Sequence, residues 1–322
     1  GLGYGSLMVF ENRISIGDLV SFTVYLGMMI WPMFAIGELI NVMQRGNASL
    51  DRVDRVLSQQ ADVQDPDQPE SIRQPEKIVF QDVRFAYPGA QGDQLDAVNL
   101  TIKKGETIGV VGRTGAGKTT LFKQLLREYV PPKGSLTINE IPIERFTLDE
   151  TRSWIGYVPQ EHVLFSKTVK ENLVYGCGEK TLTQINHILA SASLKSDIES
   201  LPEGLDTLVG ESGVTLSGGQ KQRVSLARAL LMDPEILILD DSLSAVDGMT
   251  EANIIRHLRE ERIGKTTLIA AHRLSAIKHA DQIIVLDDGK VVERGTHDAL
   301  MLLNGWYKEQ FDTQQMERKV IE

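Results

Sequence analysis

The chain has 322 residues, enough for one large domain or two modest ones. Its formal net charge of -10 speaks against a nucleic-acid binder, which shows a basic face. A single cysteine, Cys177, excludes an intrachain disulfide and has no neighbours at metal-site spacing.

The first ten residues, GLGYGSLMVF, are uncharged and too few to cross a bilayer. They read as the tail of an earlier membrane helix, not as a signal peptide, because no basic stretch or cleavage site accompanies them. ENRISIGD then reads as a turn between spans. Residues 19–36, LVSFTVYLGMMIWPMFAI, carry no charge and lie between Asp18 and Glu38. Eighteen helical residues cover about 27 Å, close to the thickness of a bilayer core. Tyr25 and Trp31 are aromatics of the kind that settle at membrane interfaces, and Pro32 predicts a kink. Arg45, Arg52 and Arg55 follow, which puts that end on the cytoplasmic side. The bland alternative is a buried helix of a soluble protein. A span and a half does not make a membrane domain, so the sequence reads as part of a longer, multi-pass inner-membrane protein.

Residues 39–58 continue as a more polar helix, with Leu50, Val53, Val56 and Leu57 in a helical stripe. Residues 59–77 hold three prolines and no periodicity, the composition of a linker. From Ile78 strands and helices alternate: IVFQDVRFAY, ETIGVVG, EILILDD, TTLIAAH, QIIVLDD and KVVERG read as strands, with helical stretches between them. This alternation predicts an α/β domain with parallel strands over residues 78–316.

Gly112, Arg113, Thr114, Gly115, Ala116, Gly117, Lys118 and Thr119 spell G-x-x-x-x-G-K-T, after an apolar strand and before the helical run beginning at Thr120. Glycines let successive N–H groups turn toward a phosphate, and the helix N-terminus adds a positive dipole end. Lys118 is placed to bridge the outer phosphates and the Thr119 hydroxyl to hold Mg2+. ILILD, Ile236 to Asp240, is a core strand delivering a carboxylate at its C-terminal edge, where ligands bind in such folds. Asp240 is therefore a second Mg2+ candidate. LSGGQ, Leu216 to Gln220, opens another helix with Ser217, Gly218, Gly219 and Gln220, a second phosphate-binding device about a hundred residues from the first. Two such devices make sense if two domains sandwich each nucleotide.

With these motifs in place, nearly the whole chain resembles a B-type multidrug exporter half of the ABC transporter family. The resemblance implies a P-loop ATPase domain with a helical subdomain at about 161–216. It also implies that residues 1–58 are the tail of the fifth and the whole sixth membrane helix. Tyr87 matches the aromatic that stacks on adenine, and Gln160 the glutamine that contacts Mg2+. Glu211 matches a loop that meets the membrane domain, and Asp247 the segment that crosses between sites. His272 matches the switch histidine at the γ-phosphate. ATP and Mg2+ are the implied ligands. The implied partners are a second half-transporter, the lipid bilayer and a hydrophobic small-molecule substrate, with no nucleic acid. A soluble ABC ATPase of DNA repair or translation is the rival that the apolar run and the acidic balance oppose.

One residue departs from the family pattern. Asp241 stands where the general base is usually glutamate. A base must come within about 2.6–3.2 Å of its proton. Aspartate is one methylene shorter, and a misplacement near 1 Å costs on the order of a hundredfold. The expectation is a site that binds ATP well and cuts it slowly, in a heterodimer whose partner carries the glutamate. The alternative is a homodimer in which Asp241 is a working base.

Overall fold

The computed structural model describes residues 1–210 and 213–321. It divides into two units, Gly1–Ala61 and Asp62–Glu322.

The first unit is helical: α1 (Leu2–Phe10), α2 (Ile16–Met28) and α3 (Ile30–Leu57). Ser15 ends the intervening turn with a capping box. Its hydroxyl accepts from the Asp18 N–H at 3.2 Å, and the Asp18 carboxylate accepts from the Ser15 N–H at 2.9 Å. The expected kink is a break at Met29, between α2 and α3. Pro32 causes it: it has no N–H, and its ring crowds the carbonyl four residues back, that of Met28. Taken together, Ile16–Leu57 contains an 18-residue window of mean hydropathy 1.8 and is long enough to cross a membrane. No residue of α2 or α3 is buried.

The second unit opens with β1 (Lys77–Phe85), β2 (Leu95–Lys103) and β3 (Thr107–Gly112), then α4 (Lys118–Leu125). Next come β4 (Lys133–Ile138), β5 (Ile141–Pro142), α5 (Leu148–Ser153) and β6 (Ile155–Val158). A helical stretch holds α6 (Val169–Leu173), α7 (Leu182–Ser191), α8 (Lys195–Glu199) and α9 (Gly218–Leu231). Then follow β7 (Ile236–Asp240), α10 (Gly248–Glu261), β8 (Thr266–Ala270), β9 (Gln282–Asp287), β10 (Lys290–Gly295), α11 (His297–Leu303) and α12 (Trp306–Ile321).

The main sheet runs β10-β9-β3-β8-β7-β6, parallel except for the edge hairpin β9–β10. β7 and β8 are buried at every position, as continuous apolar runs covered on both faces should be. A second, antiparallel sheet, β2-β1-β4-β5, goes beyond the sequence reading. β1 alternates between buried and exposed along most of its length, and Phe80, Val83 and Phe85 point into the core it shares with α4.

Residues 62–76 are irregular but docked. The Leu148 N–H donates to Asp65 at 2.7 Å, and Glu150 accepts from Ser71 Oγ at 2.7 Å and from the Ile72 N–H at 3.1 Å. The Asn139 side-chain oxygen accepts from the N–H groups of Glu76 and Lys77. Side-chain hydrogen bonds from both sides thus hold a stretch whose prolines disfavour regular backbone pairing.

Candidate functional site

The order of the main sheet decides which groups can meet. β8 lies between β3 and β7, so the loop after β3, the carboxylate ending β7 and the segment after β8 share one edge. Gly117 adopts φ +102° as the N-cap of α4, and a Cβ there would lie 2.7 Å from the Gln94 carbonyl oxygen. Only glycine fits this turn without strain. The first N–H groups of α4 have no intrahelical acceptor, an arrangement that suits an anion.

Lys118 is 8% exposed, and its ammonium donates to the carbonyls of Gly112 at 2.9 Å and Arg113 at 3.0 Å. Burial pushes its pKa below the usual range, and Asp241 and Asp240 oppose that shift. Thr119 Oγ1 donates to Asp240 Oδ1 at 3.1 Å, and Tyr157 Oη donates to Asp240 Oδ2 at 3.1 Å. Asp240 is 2% exposed. Burial raises its pKa, against the hydrogen bonds from Thr119 and Tyr157. A buried carboxylate beside a hydroxyl forms a pair of hard oxygen donors, which suits Mg2+.

Asp241 turns away from the strand with φ +50°, a left-handed conformation that aspartate tolerates better than most residues. Its N–H donates to the Ala270 carbonyl at 2.9 Å, carrying the β7–β8 pairing one residue further. Its carboxylate lies 3.8 Å from His272 Nε2. The sheet thus brings Lys118, Thr119, Asp240, Asp241 and His272 together. Gln160 is exposed on the loop just after β6, which pairs with β7 up to Val158 and Leu239. Tyr87 sits beside α4, with its hydroxyl 2.9 Å from Thr120 Oγ1 and its ring edge-on to Phe85 and Tyr129.

LSGGQ is held differently. Ser217 caps α9, accepting from the Gln220 N–H at 3.2 Å, while the Gln220 side chain accepts from the Ser217 N–H at 2.9 Å. The Gln220 amide also donates to Asp197 at 2.8 Å, so this side chain ties α9 to α8. A Cβ on Gly219 would lie 2.9 Å from the Ala245 carbonyl oxygen, so the loop 242–247 requires that glycine by close approach. Among the described residues no hydrogen bond or ion pair joins residues 216–220 to residues 112–120. Asp247 caps α10 through the N–H groups of Met249 and Thr250. Glu211 lies outside the described residues.

Several contributors carry no sequence signal of their own. Tyr157 becomes an Asp240 partner only because β6 pairs with β7. Both ring nitrogens of His162 are buried without a hydrogen-bond partner among the described residues. Burial lowers the pKa of that ring, and Asp241 opposes the shift. Gln222, 2% exposed, accepts from the Ala245 N–H at 3.0 Å and donates to Ser244 Oγ at 3.2 Å. From the other side Arg273 donates to the carbonyls of Val246 at 2.6 Å and Ser244 at 3.1 Å and to Glu251 at 3.0 Å. The loop 242–247 is clamped between α9 and the segment after β8.

Known proteins are similar to this chain over most of its length. The protein-family model for the ABC transporter matches residues 95–244. The probable multidrug resistance ABC transporter ATP-binding/permease protein YheI of Bacillus subtilis (strain 168) is 59% identical over 98% of this chain and 54% of that protein. The multidrug resistance-like ATP-binding protein MdlA of Escherichia coli (strain K12) is 44% identical over 98% of this chain and 53% of its own length. The ATP-dependent lipid A-core flippase of Alkalilimnicola ehrlichii is 40% identical over 93% of this chain and 51% of its own length. A solved structure of a bacterial Atm1-family ABC exporter with ATP bound superposes with a TM-score of 0.84 at 34% identity, covering 93% of this chain and 53% of that one. The chain spans about half the length of the relatives it matches.

Proposed function

Because the chain belongs to the ABC transporter family, as an ATP-binding/permease chain of the multidrug-resistance type, we propose that it is the ATP-driven end of an exporter half. The exporter moves hydrophobic drugs or lipids out across the cytoplasmic membrane, through a domain that Ile16–Leu57 helps to build. The observation that carries the reading is the hydrogen-bonded line Thr119–Asp240–Tyr157 at the head of the phosphate loop. Thr119 and Asp240 would hold Mg2+, with Gln160 at the same edge, and the ion would neutralise phosphate charge when bound.

Lys118 and the N-terminus of α4 grip the outer phosphates, and Tyr87 offers its ring to the adenine. His272 steadies the terminal phosphate. Asp241 accepts the proton of the attacking water as the new P–O bond forms and the bond to ADP breaks. Its short side chain, turned by a left-handed backbone toward His272, makes it a poor base. The partner half therefore carries glutamate at the equivalent position. Ser217 of this chain completes the partner's competent site through a hydroxyl proton that its capping bond leaves unused. A second reading, a homodimer with Asp241 as working base, rests on the retention of a histidine at position 272 beside this carboxylate.

Assembly has its own test. In a Cys177→Ser background, a cysteine introduced at Ser217 should crosslink to one in the partner's phosphate loop when ATP is present. The crosslink should fade without nucleotide. Equal crosslinking in both states contradicts the sandwich.

A further inference from the structure

His272 is exposed on its side chain, yet its backbone is gripped from a distance. Gln314, on α12, spans the segment that carries it: Nε2 donates to the His272 carbonyl at 2.8 Å, and Oε1 accepts from the Leu274 N–H at 3.0 Å. One side-chain amide thus imitates a pair of backbone partners, and both ends of the amide are used. On the opposite side of the same segment Arg273 is anchored by Ser244, Val246 and Glu251. Glu251 is 4% exposed and also accepts from Ser275 Oγ.

The seat of α12 explains why Gln314 can hold a position. Tyr307 is fully buried, its hydroxyl lies 2.9 Å from His297 Nδ1, and the Trp306 and Tyr307 N–H groups are capped by Glu293. Phe311 packs on the same core, which includes Leu274, Ala276 and Ile277. Residues 307, 311 and 314 fall at i, i+4 and i+7, one stripe of the helix. The stripe that buries Tyr307 therefore delivers Gln314 over the switch segment.

We infer that Gln314 is a positioning residue for His272, which makes the C-terminal helix part of the nucleotide-sensing apparatus. Gln314 touches no nucleotide. It fixes the carbonyl of His272 and the amide two residues on, and so sets where the imidazole points. The inference rests on the reading that His272 meets the terminal phosphate. Its signature is a change in the preference for ATP over ADP, since only ATP carries that phosphate. Damage to α12 that merely loosens the fold lowers both affinities alike.

The test uses the full-length exporter assembled with its partner in lipid nanodiscs. Mg-ATP and Mg-ADP compete with an azido-ATP label on this chain, at low temperature to limit turnover. Gln314→Glu keeps the acceptor for Leu274 but sets a carboxylate against the His272 carbonyl. Gln314→Ala removes both bonds without repulsion. His272→Ala should lower the ATP:ADP preference about tenfold, and Gln314→Glu about three- to tenfold, the worth of a hydrogen bond or more. Gln314→Ala should fall in the same direction by less. In the His272→Ala background Gln314→Glu should add nothing. The inference is overturned if the Gln314 variants leave the preference intact while His272→Ala lowers it, or if they weaken both nucleotides equally. If His272→Ala itself leaves the preference unchanged, the reading of His272 fails first and the role of Gln314 falls with it.

Discussion

Lys118 is 8% exposed and Asp240 is 2% exposed, whereas Trp31 is 81% exposed and Phe34 is 71% exposed. Ordinary folding places lysine and aspartate outside and large apolar groups inside. The sheet edge and the N-terminal helices invert that rule in opposite directions. At the sheet edge the cost of burying charge is met by neighbours: carbonyls around the ammonium, hydroxyls around the carboxylate. Among the described residues of α2 and α3 none is buried, an arrangement that a lipid solvent would stabilise. Under the proposed function the first inversion serves phosphate and the second serves the bilayer.

The largest expected effect strikes the buried charge. Lys118→Ala should weaken Mg-ATP binding at this chain's own site by more than about a hundredfold, because a charge-assisted contact in a desolvated pocket is lost. Titration of the purified exporter with a fluorescent ATP analogue measures it. An unchanged affinity would remove the phosphate-loop reading.

The same comparison predicts that apolar exposure means different things in the two units. Leu26→Arg, inside the uncharged run, should cost about 2.5–3.5 kcal/mol of membrane insertion near a helix centre. Leu302→Arg, 82% exposed on α11, should cost nothing. The membrane-extracted yield of the full-length protein should fall several-fold for the first and stay level for the second. Equal yields would argue that α2 and α3 meet water or protein instead of lipid.

A smaller effect follows from the raised pKa of Asp240. A carboxyl whose folded pKa lies above its unfolded value binds more protons folded than unfolded, so stability falls as pH rises through that window. At neutral pH the buried charge is a cost. Asp240→Asn should therefore raise the melting temperature of Mg2+-free protein by about 2 °C while abolishing the dependence of ATP affinity on Mg2+. A lower melting temperature would mean that the hydrogen bonds to Thr119 and Tyr157 outweigh the burial of the charge.

Much of this edge is legible in the sequence because backbone chemistry spells it. The glycines of the phosphate loop, the apolar run before Asp240 and the serine opening α9 are each demanded by local geometry. Other parts depend on pairings that no local pattern encodes. β2, β4 and their antiparallel sheet come from register with β1. Tyr157 gains its role from a neighbouring strand, and Gln314 bonds a backbone group 42 residues away. The proline-rich stretch after Ala61 reads as a linker from composition, yet single side chains such as Asp65 and Asn139 dock it. Gln220 reads as a phosphate ligand from its motif, while its side chain is occupied by the cap and by Asp197.

In the proposed function Asp241 is a weak base, in a site that holds ATP more than it cuts it. Steady-state ATPase of the assembled exporter tests this most directly, comparing Asp241→Asn with removal of the partner's glutamate. Asp241→Asn should change turnover by less than about twofold, while loss of the partner's glutamate should stop it, as expected when a general base worth about 10²–10⁴-fold is removed. If Asp241→Asn abolishes turnover as completely as the partner's variant, Asp241 is a working base and the two sites are equivalent.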